Sequence, residues 1–211
     1  MELSNTAAAS KTVIHWEGGG VARFKRQPAD SGYGTPLYSS ADIVRARLIP
    51  SEHLSSARNE RNIRQCRVEQ GVILIPCSGA FGGIVGRAVR AGRRLHGEVV
   101  TQHVLRVKVD DPDFVPDYVS AFLSSLPYGY PLLTAFRYGK DVPELEPNAI
   151  GETPIPLLPR PVQESVAKDI SAATECLDKS NDIEDKAQGE LLRSLKWTES
   201  TEEAHTLAPV N

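Results

Sequence analysis

The apolar pattern of the C-terminal part constrains this chain more than any other feature, because it predicts one long helix over residues 161–197. The helix is expected to begin at Pro161, since proline is favoured in a first helical turn. An apolar stripe follows at Val166, Ile170, Ala173, Leu177, Ile183 and Leu191. A helix this long at the edge of a small domain cannot bury its whole stripe alone, so we expect a coiled-coil type of contact with a partner helix. The alternative is an ordinary C-terminal helix that packs on the domain core and frays after Gly189.

Shorter elements are predicted before that helix. Strands are predicted at 72–75 and 99–109, a helix at 115–126 from its apolar face, and modest helical character at 52–58. Dense prolines over 127–161 exclude a long helix there. The predicted class is therefore α+β, with a compact domain built on a mixed or antiparallel sheet and a long coiled-coil-type helix after it.

The sequence divides into four predicted parts. They are a partly flexible N-terminal segment at 1–30, a folded domain at 31–160, the partner helix at 161–197 and a disordered tail at 198–211.

A glycine-rich loop follows the strand predicted at 72–75. The loop contains Gly79, Gly82, Gly83 and Gly86, with Phe81 as its only large side chain, and Arg87, Arg90, Arg93 and Arg94 come next. Glycine allows unusual backbone paths and close approach to another molecule. A strand that leads into such a loop and then into arginines predicts contact with a polyanion.

The net charge of −3 conceals an uneven distribution along the chain. Residues 1–110 carry 16 Lys and Arg against 9 Asp and Glu, whereas residues 111–211 carry 8 against 18. Arginine suits bidentate contact with phosphates and guanine, so the basic half favours a nucleic-acid partner. Two other interpretations are open: a solvated charged face, or neutralisation of the basic half by the acidic half of the same chain.

Few residues are arranged for catalysis. Cys77 or Ser78 with His103 could form a nucleophile and its base, but the nucleophile elbow of hydrolases is absent. The glycine spacing fits neither a P-loop nor a dinucleotide fingerprint. The cysteines and histidines have no metal-ligand spacing, so we expect neither a metal nor a cofactor. The odd number of cysteines and the lack of a signal or membrane segment predict a cytoplasmic protein.

Two further segments carry groups that are suited to reading DNA. Gln102, His103 and Arg106 supply amide, imidazole and guanidinium groups near the strand at 99–109. Tyr138 and Lys140 flank a second glycine turn after Arg137. Each side chain alone is more often structural or solvated, but their joint occurrence favours DNA binding.

These segments, in this order, resemble the target-recognition domains of type I restriction-modification specificity subunits, over about residues 33–180. The matching segments are GTPLYSSADI at 34–43, VEQGVILIPCSG at 68–79, GIVGR at 83–87, VTQHVLRV at 100–107, VPDYVSAFLSS at 115–125, YG at 138–139 and IPLLPRPVQE at 155–164.

The resemblance implies an α+β domain that grips duplex DNA and a long helix that packs in a coiled coil. Specificity subunits have two such domains on paired helices beside methyltransferase subunits, and this chain has one domain and one helix, so it looks like half a subunit. The resemblance implies a non-catalytic DNA-recognition role, in which the protein directs a methyltransferase, and in some systems a nuclease, to its target. A homodimer or a second recognition domain would complete the arrangement. The expected DNA contacts are Ser78, Gly79, Phe81, Arg87, Arg93, Arg94, Gln102, His103, Arg106, Tyr138 and Lys140.

Within that set, Arg87, Arg93, Arg94 and Lys140 are expected mainly at phosphates, and Gln102 and Arg106 at bases. The rival interpretation is a scaffold or inhibitor of a methyltransferase that keeps the fold without DNA specificity. A hydrolase that uses Cys77 or Ser78 with His103 is the third.

Overall fold

A computed structural model describes residues 14–17, 26–28, 33–54, 63–79, 83–135, 137–139 and 144–195. Most of the segment predicted to be flexible at 1–30, and all of the predicted tail at 198–211, lie outside these residues. The strands are β1 Ile14–Glu17, β2 Arg26–Pro28, β3 Thr35–Tyr38, β4 Glu52–Leu54, β5 Ile73–Pro76, β6 Val89–Arg90, β7 Val99–Val100, β8 Val104–Val109, β9 Arg137–Tyr138 and β10 Glu144–Leu145. The helices are α1 Pro116–Ser124, α2 Gly129–Ala135, α3 Pro147–Gly151 and α4 Arg160–Ser194, and short 3-10 turns span Asp42–Val44 and Arg93–Leu95.

The strands form two four-stranded sheets and one hairpin. The first sheet has the order β1-β8-β5-β6 and is antiparallel throughout. The second has the order β2-β4-β3-β7, in which β3 and β7 are parallel. The hairpin joins β9 to β10. With the long helix α4 after these sheets, the predicted α+β class is confirmed.

The central strand β5 is buried on both faces, which explains its unbroken apolar sequence. Ile73 and Ile75 pack in one core with Val119 and Leu123 of α1. Leu74 points to the other face and packs in a second core with residues that include Tyr38. Side chains alternate across a strand, so one short run of sequence supplies two cores. The strand predicted at 72–75 is thus confirmed.

The strand predicted at 99–109 is interrupted. A turn at 101–103, closed by the Val104 N–H bonding to the Thr101 carbonyl at 3.1 Å, separates β7 from β8. The two strands belong to different sheets, which is why apolar and polar residues do not alternate strictly along this segment. The helical character predicted at 52–58 is wrong for the first three residues, because β4 pairs with both β2 and β3 there. Residues 55–58 lie outside the described residues.

Between Pro127 and Pro159, the described residues of the proline-rich segment contain no long helix, as predicted, but two short ones. Pro131 lies in the first turn of α2, a position that needs no backbone N–H donor. The helix predicted at 115–126 is confirmed as α1.

The long helix α4 begins against the domain. Gln163 is 1% exposed, although it is polar. Its Oε1 accepts the Val115 N–H at 2.8 Å, and its Nε2 donates to the Asp113 and Leu158 carbonyls at 3.1 and 2.9 Å. One glutamine thereby fixes the start of α4 to the segment that leads into α1.

Further along, the helix is held by polar contacts that we call the helix clasp: Ala46, Arg47, Leu48, Arg93 and Arg94 on the domain, and Asp178, Asn181, Asp182, Glu184 and Asp185 on α4. Asn181 is 1% exposed. Its Oδ1 accepts the Leu48 N–H at 2.8 Å, and its Nδ2 donates to the Ala46 carbonyl at 2.8 Å. Asp178 accepts the Arg93 N–H at 2.7 Å. Packing here is close, because a Cβ on Gly92 would lie 2.6 Å from an Asp178 carboxylate oxygen.

Ion pairs surround these buried contacts of the clasp. Arg94 bonds Asp182 at 2.6 Å and Asp185 at 2.5 Å, and Arg47 bonds Glu184 at 3.0 Å. Hydrogen bonding from Arg94 lowers the pKa of Asp182. A similar bond from Arg47 lowers the pKa of Asp185. The helix therefore packs on its own domain well past its first turns, and it does so through a polar face.

Candidate functional site

The ends of three strands meet at one edge of the domain, around the carbonyl of His103. That carbonyl accepts the Cys77 N–H at 2.8 Å and the Ser40 hydroxyl at 3.2 Å. Ser40 follows β3, Cys77 follows β5, and His103 lies in the turn between β7 and β8. The backbone topology thus brings together loops that lie far apart in the sequence.

The β9–β10 hairpin attaches to the same edge. The Leu145 N–H donates to the Cys77 carbonyl at 2.8 Å, and Ser78 forms an antiparallel bridge with Glu144. The Tyr138 hydroxyl in turn donates to the Glu144 carboxylate at 2.9 Å. We call this surface the polar edge, defined by Ser40, Cys77, Ser78, Gln102, His103, Tyr138 and Glu144.

The glycine loop turns back onto the end of β5. The Gly86 N–H donates to the Pro76 carbonyl at 2.9 Å. Gly86 has φ +83°, and a Cβ there would lie 2.8 Å from a Thr134 methyl group, so both conformation and space require glycine. The loop therefore leaves and rejoins the domain at neighbouring points beside the polar edge.

The structure gathers five of the predicted site residues at or beside this edge: Ser78, Gly79, Gln102, His103 and Tyr138. Arg87 is exposed and follows directly on the loop's return point at Gly86. It lines a cleft of about 210 Å³ with Leu126 and Tyr130. Phe81 and Lys140 lie outside the described residues.

Arg93 and Arg94 lie elsewhere. Both form ion pairs with Asp182 of α4 in the helix clasp, so their charges are committed to the chain's own helix. The interpretation that the acidic half neutralises part of the basic half fits these two residues better than the predicted phosphate contact does.

Arg106 is buried, with only 4% of its surface exposed. It lies opposite Leu74 on β5, and in the described part of the chain its Nε and Nη1 atoms have no hydrogen-bond partner. A base-reading arginine needs its guanidinium at the surface, so this position does not fit the role predicted for Arg106.

The chemistry of the edge suits hydrogen bonding rather than nucleophilic attack. Burial raises the pKa of Cys77 to about 11, which leaves the thiol protonated at neutral pH. Cys77 bonds His103 through backbone atoms, and the His103 ring contacts the Gln102 amide at 3.1 Å. Among the described residues, no group of three or more His, Cys, Asp or Glu could hold a metal ion.

Ser40 and Glu144 are edge residues that the sequence analysis missed. Ser40 lies in the segment 34–43, the first of those that resemble specificity subunits, and the same segment contains the carboxylate of Asp42. That carboxylate is 1% exposed and accepts the hydroxyls of Ser39 and Ser51 at 2.8 and 2.7 Å, which holds the loop after β3 in place. No local signal marks Glu144, because its role depends on pairing with Tyr138 across the hairpin.

No protein-family model matches the sequence, and no curated protein is significantly similar to it. Similar folds occur among solved structures. The type I restriction-modification system S subunit from M. genitalium matches with a TM-score of 0.56 and 14% identity, over 97% of this chain and 49% of that one. The HsdS subunit from Thermoanaerobacter tengcongensis matches with a TM-score of 0.46 and 14% identity. This match covers 88% of this chain and 48% of that one.

A third match is to a chain from a study of complex assembly and conformational transition of the type I restriction-modification system. Its TM-score is 0.42 and its identity 14%, over 90% of this chain and 45% of that one. The chain thus spans about half the length of the structures that it matches. The fold assignment rests on the M. genitalium subunit, the match with the highest TM-score of the three. The protein has the fold of one half of a type I restriction-modification S subunit.

Proposed function

We propose that the protein is a non-catalytic, sequence-specific recognition subunit for double-stranded DNA in a restriction-modification or related phage-defence system. The observation that carries this proposal is the match of almost the whole chain to half of an S subunit. The polar edge supports it, since hydroxyl, amide, imidazole and carboxylate groups are the side-chain types that bond base edges.

Catalysis is assigned to partners. We propose that the chain directs a DNA methyltransferase to its target and, in a restriction system, a nuclease as well. The protonated Cys77 thiol supports a role in recognition rather than hydrolysis. None of the described helices is long and apolar enough to cross a membrane. We propose a cytoplasmic location, where DNA and these partner enzymes would meet the protein.

The helix α4 is proposed to complete the assembly. It presents apolar side chains at its surface, with Ile183 68% and Leu191 57% exposed. A second copy of this chain, or a second recognition domain, would cover them and supply the other half of the S-subunit arrangement.

A scaffold or inhibitor of a methyltransferase, without DNA specificity, is the second candidate. The helix clasp favours it, because Arg93 and Arg94 pair with Asp182 instead of facing solvent freely. Copurification with a methyltransferase, combined with an absence of DNA preference even in that complex, would support this candidate over the first.

DNA binding is tested by gel-shift titrations of the full chain at several salt concentrations. The logarithm of the binding constant should fall linearly with the logarithm of salt concentration, since phosphate contacts release counterions. Arg87→Ala should weaken binding to all sequences alike and reduce that slope by about one. Arg193→Ala, an exposed arginine in the last turn of α4, is the matched control and should change neither quantity. A wild-type slope near zero would contradict the DNA-binding proposal.

A further inference from the structure

Tyr138 and Glu144 form a hydrogen-bonded pair at the polar edge. They lie directly opposite each other in the β9–β10 ladder, and the Tyr138 hydroxyl donates to the Glu144 carboxylate at 2.9 Å. The Tyr138 side chain is 51% exposed and Glu144 is partly exposed, so both are accessible to a bound molecule.

The hairpin places this pair next to the loops that end β5 and β7. Ser78 bridges to Glu144, and Cys77 bonds both Leu145 in the hairpin and His103 in the turn after β7. The pair therefore belongs to the same surface as the amide of Gln102 and the imidazole of His103.

The pair can only accept hydrogen bonds from a ligand. A phenol has one hydrogen, and that of Tyr138 is already donated to Glu144. The bond to Glu144 also raises the pKa of Tyr138, so the phenol keeps this hydrogen. An ionised carboxylate has no hydrogen to donate. What the pair offers outward is the remaining lone pairs of two oxygen atoms, beside one negative charge.

These acceptors exclude most groups on duplex DNA. Phosphates are repelled by the carboxylate. In the major groove, guanine presents two acceptors and thymine an acceptor and a methyl group, while adenine places the N7 acceptor beside its N6 amino donor. Cytosine presents the N4 amino donor alone. In the minor groove the only donor is the N2 amino group of guanine, which belongs to the same base pair.

We propose that Tyr138 and Glu144 are a specificity-determining pair that selects a C·G base pair by accepting a hydrogen bond from an exocyclic amino group. This inference rests on the proposed function. Glu144 makes the contact, and Tyr138 positions the carboxylate from the other strand of the hairpin.

The first test is selection of binding sites from randomised DNA duplexes. It uses the full chain, alone or copurified with its methyltransferase, in whichever form binds DNA in the gel-shift titrations. Wild type should require C·G at one position. Glu144→Ala removes the acceptor and should reduce the preference for C·G there by roughly tenfold or more. Glu144→Gln adds a donor to the acceptor, a combination suited to adenine N6 and N7, and should raise the preference for adenine there. Tyr138→Phe should reduce the preference for C·G severalfold while leaving the same base preferred.

Arg87→Ala is the control, because loss of a phosphate contact should weaken binding without altering the selected sequence. Unaltered base preferences in Glu144→Ala, despite sequence selection by wild type, would overturn this inference alone. A wild type that selects no sequence would overturn the proposed function, and this inference with it.

The second test removes the amino group from the DNA. Replacing the selected cytosine by a 2-pyrimidinone nucleotide, or its guanine by inosine, should weaken wild-type binding roughly tenfold in one of the two duplexes, which identifies the groove. The same replacement should cause no further loss in Glu144→Ala, because alanine has no acceptor for the amino group. Equal losses in wild type and variant would show that another residue reads the amino group and would overturn the assignment to Glu144.

Discussion

Burial determines the chemistry available to Cys77 at the polar edge. Because the pKa of its thiol is raised to about 11, the neutral thiol persists through the physiological range and thiolate accumulates only as pH approaches that value. We expect iodoacetamide to label the exposed Cys176 readily at pH 7.5 and Cys77 far more slowly. The rate at Cys77 should then rise about tenfold per pH unit towards pH 10. Peptide mapping by mass spectrometry measures both sites, with Cys176 as the internal control.

A plateau in the labelling rate of Cys77 below pH 9 would contradict this prediction. It would also reopen the hydrolase interpretation, which needs a reactive thiolate or a serine with an effective base. In the described structure, the side-chain partner of His103 is the Gln102 amide and not a carboxylate, so the orienting group of a catalytic triad has no counterpart there.

The structure places the predicted site residues of loops together at the polar edge, and it places the predicted arginines of β8 and the Arg93–Leu95 turn elsewhere. Ser78 follows β5, and Gln102 and His103 lie in the turn that joins the two sheets, so the loops that carry them meet at one edge of the domain. Arg106 does not fit the predicted base contact because β8 is largely buried on both faces, so its one arginine is buried as well. The ion pairs of Arg94 were not predictable for another reason. Its partners Asp182 and Asp185 lie almost a hundred residues away in the sequence, and no local pattern identifies them.

At the scale of elements, α4 shows both the strength and the limit of apolar periodicity. Its existence and near-complete length were predictable, because the pattern is long and begins at a proline. The face that it packs on the domain was not. That face contains Asp178 and Asn181, and a search for apolar positions passes over polar residues that are buried by specific partners.

Asn181 should be the most sensitive residue of the helix clasp. Asn181→Ala would remove the partners of the Leu48 N–H and the Ala46 carbonyl, and an unsatisfied buried polar group costs about 1–3 kcal/mol. We expect the free energy of unfolding to fall by that amount in urea titrations. Lys186→Ala, at an exposed position of the same helix, should change it by less than about 0.5 kcal/mol. A loss at Asn181 no greater than at Lys186 would contradict a stabilising role for the clasp.

For the whole molecule, the open question at the sequence level was whether α4 serves its own domain or a partner. The structure divides the predicted stripe. Val166 and Ile170 are half-buried, and Val166 packs against the first core. Ala173, Leu177, Ile183 and Leu191 are exposed. Packing on the chain's own domain therefore accounts for the first part of the stripe, and contact with a partner remains a proposal for the exposed part.

If a second copy covers the exposed stripe, the protein should be a dimer in solution. Sedimentation equilibrium should then give twice the chain mass of 23.0 kDa. Ile183→Glu with Leu191→Glu should restore the single mass, because charges placed in an apolar interface oppose association. Leu126→Glu, a similarly exposed leucine on the domain, is the matched control and should leave the dimer intact. A monomeric wild type at high concentration would contradict the homodimer and leave a different chain as the partner.

The clasp also makes the domain and its helix a lever of fixed geometry. α4 has 35 residues and is therefore roughly 52 Å long, of which roughly 20 Å follow Asn181. A tilt of about 10° at the clasp would move the far end of the helix by roughly 3 Å, close to the ~3.4 Å rise of one base pair. In an assembly that reads a target in two parts, the stiffness of this joint would set how much variation in the spacing between those parts is tolerated.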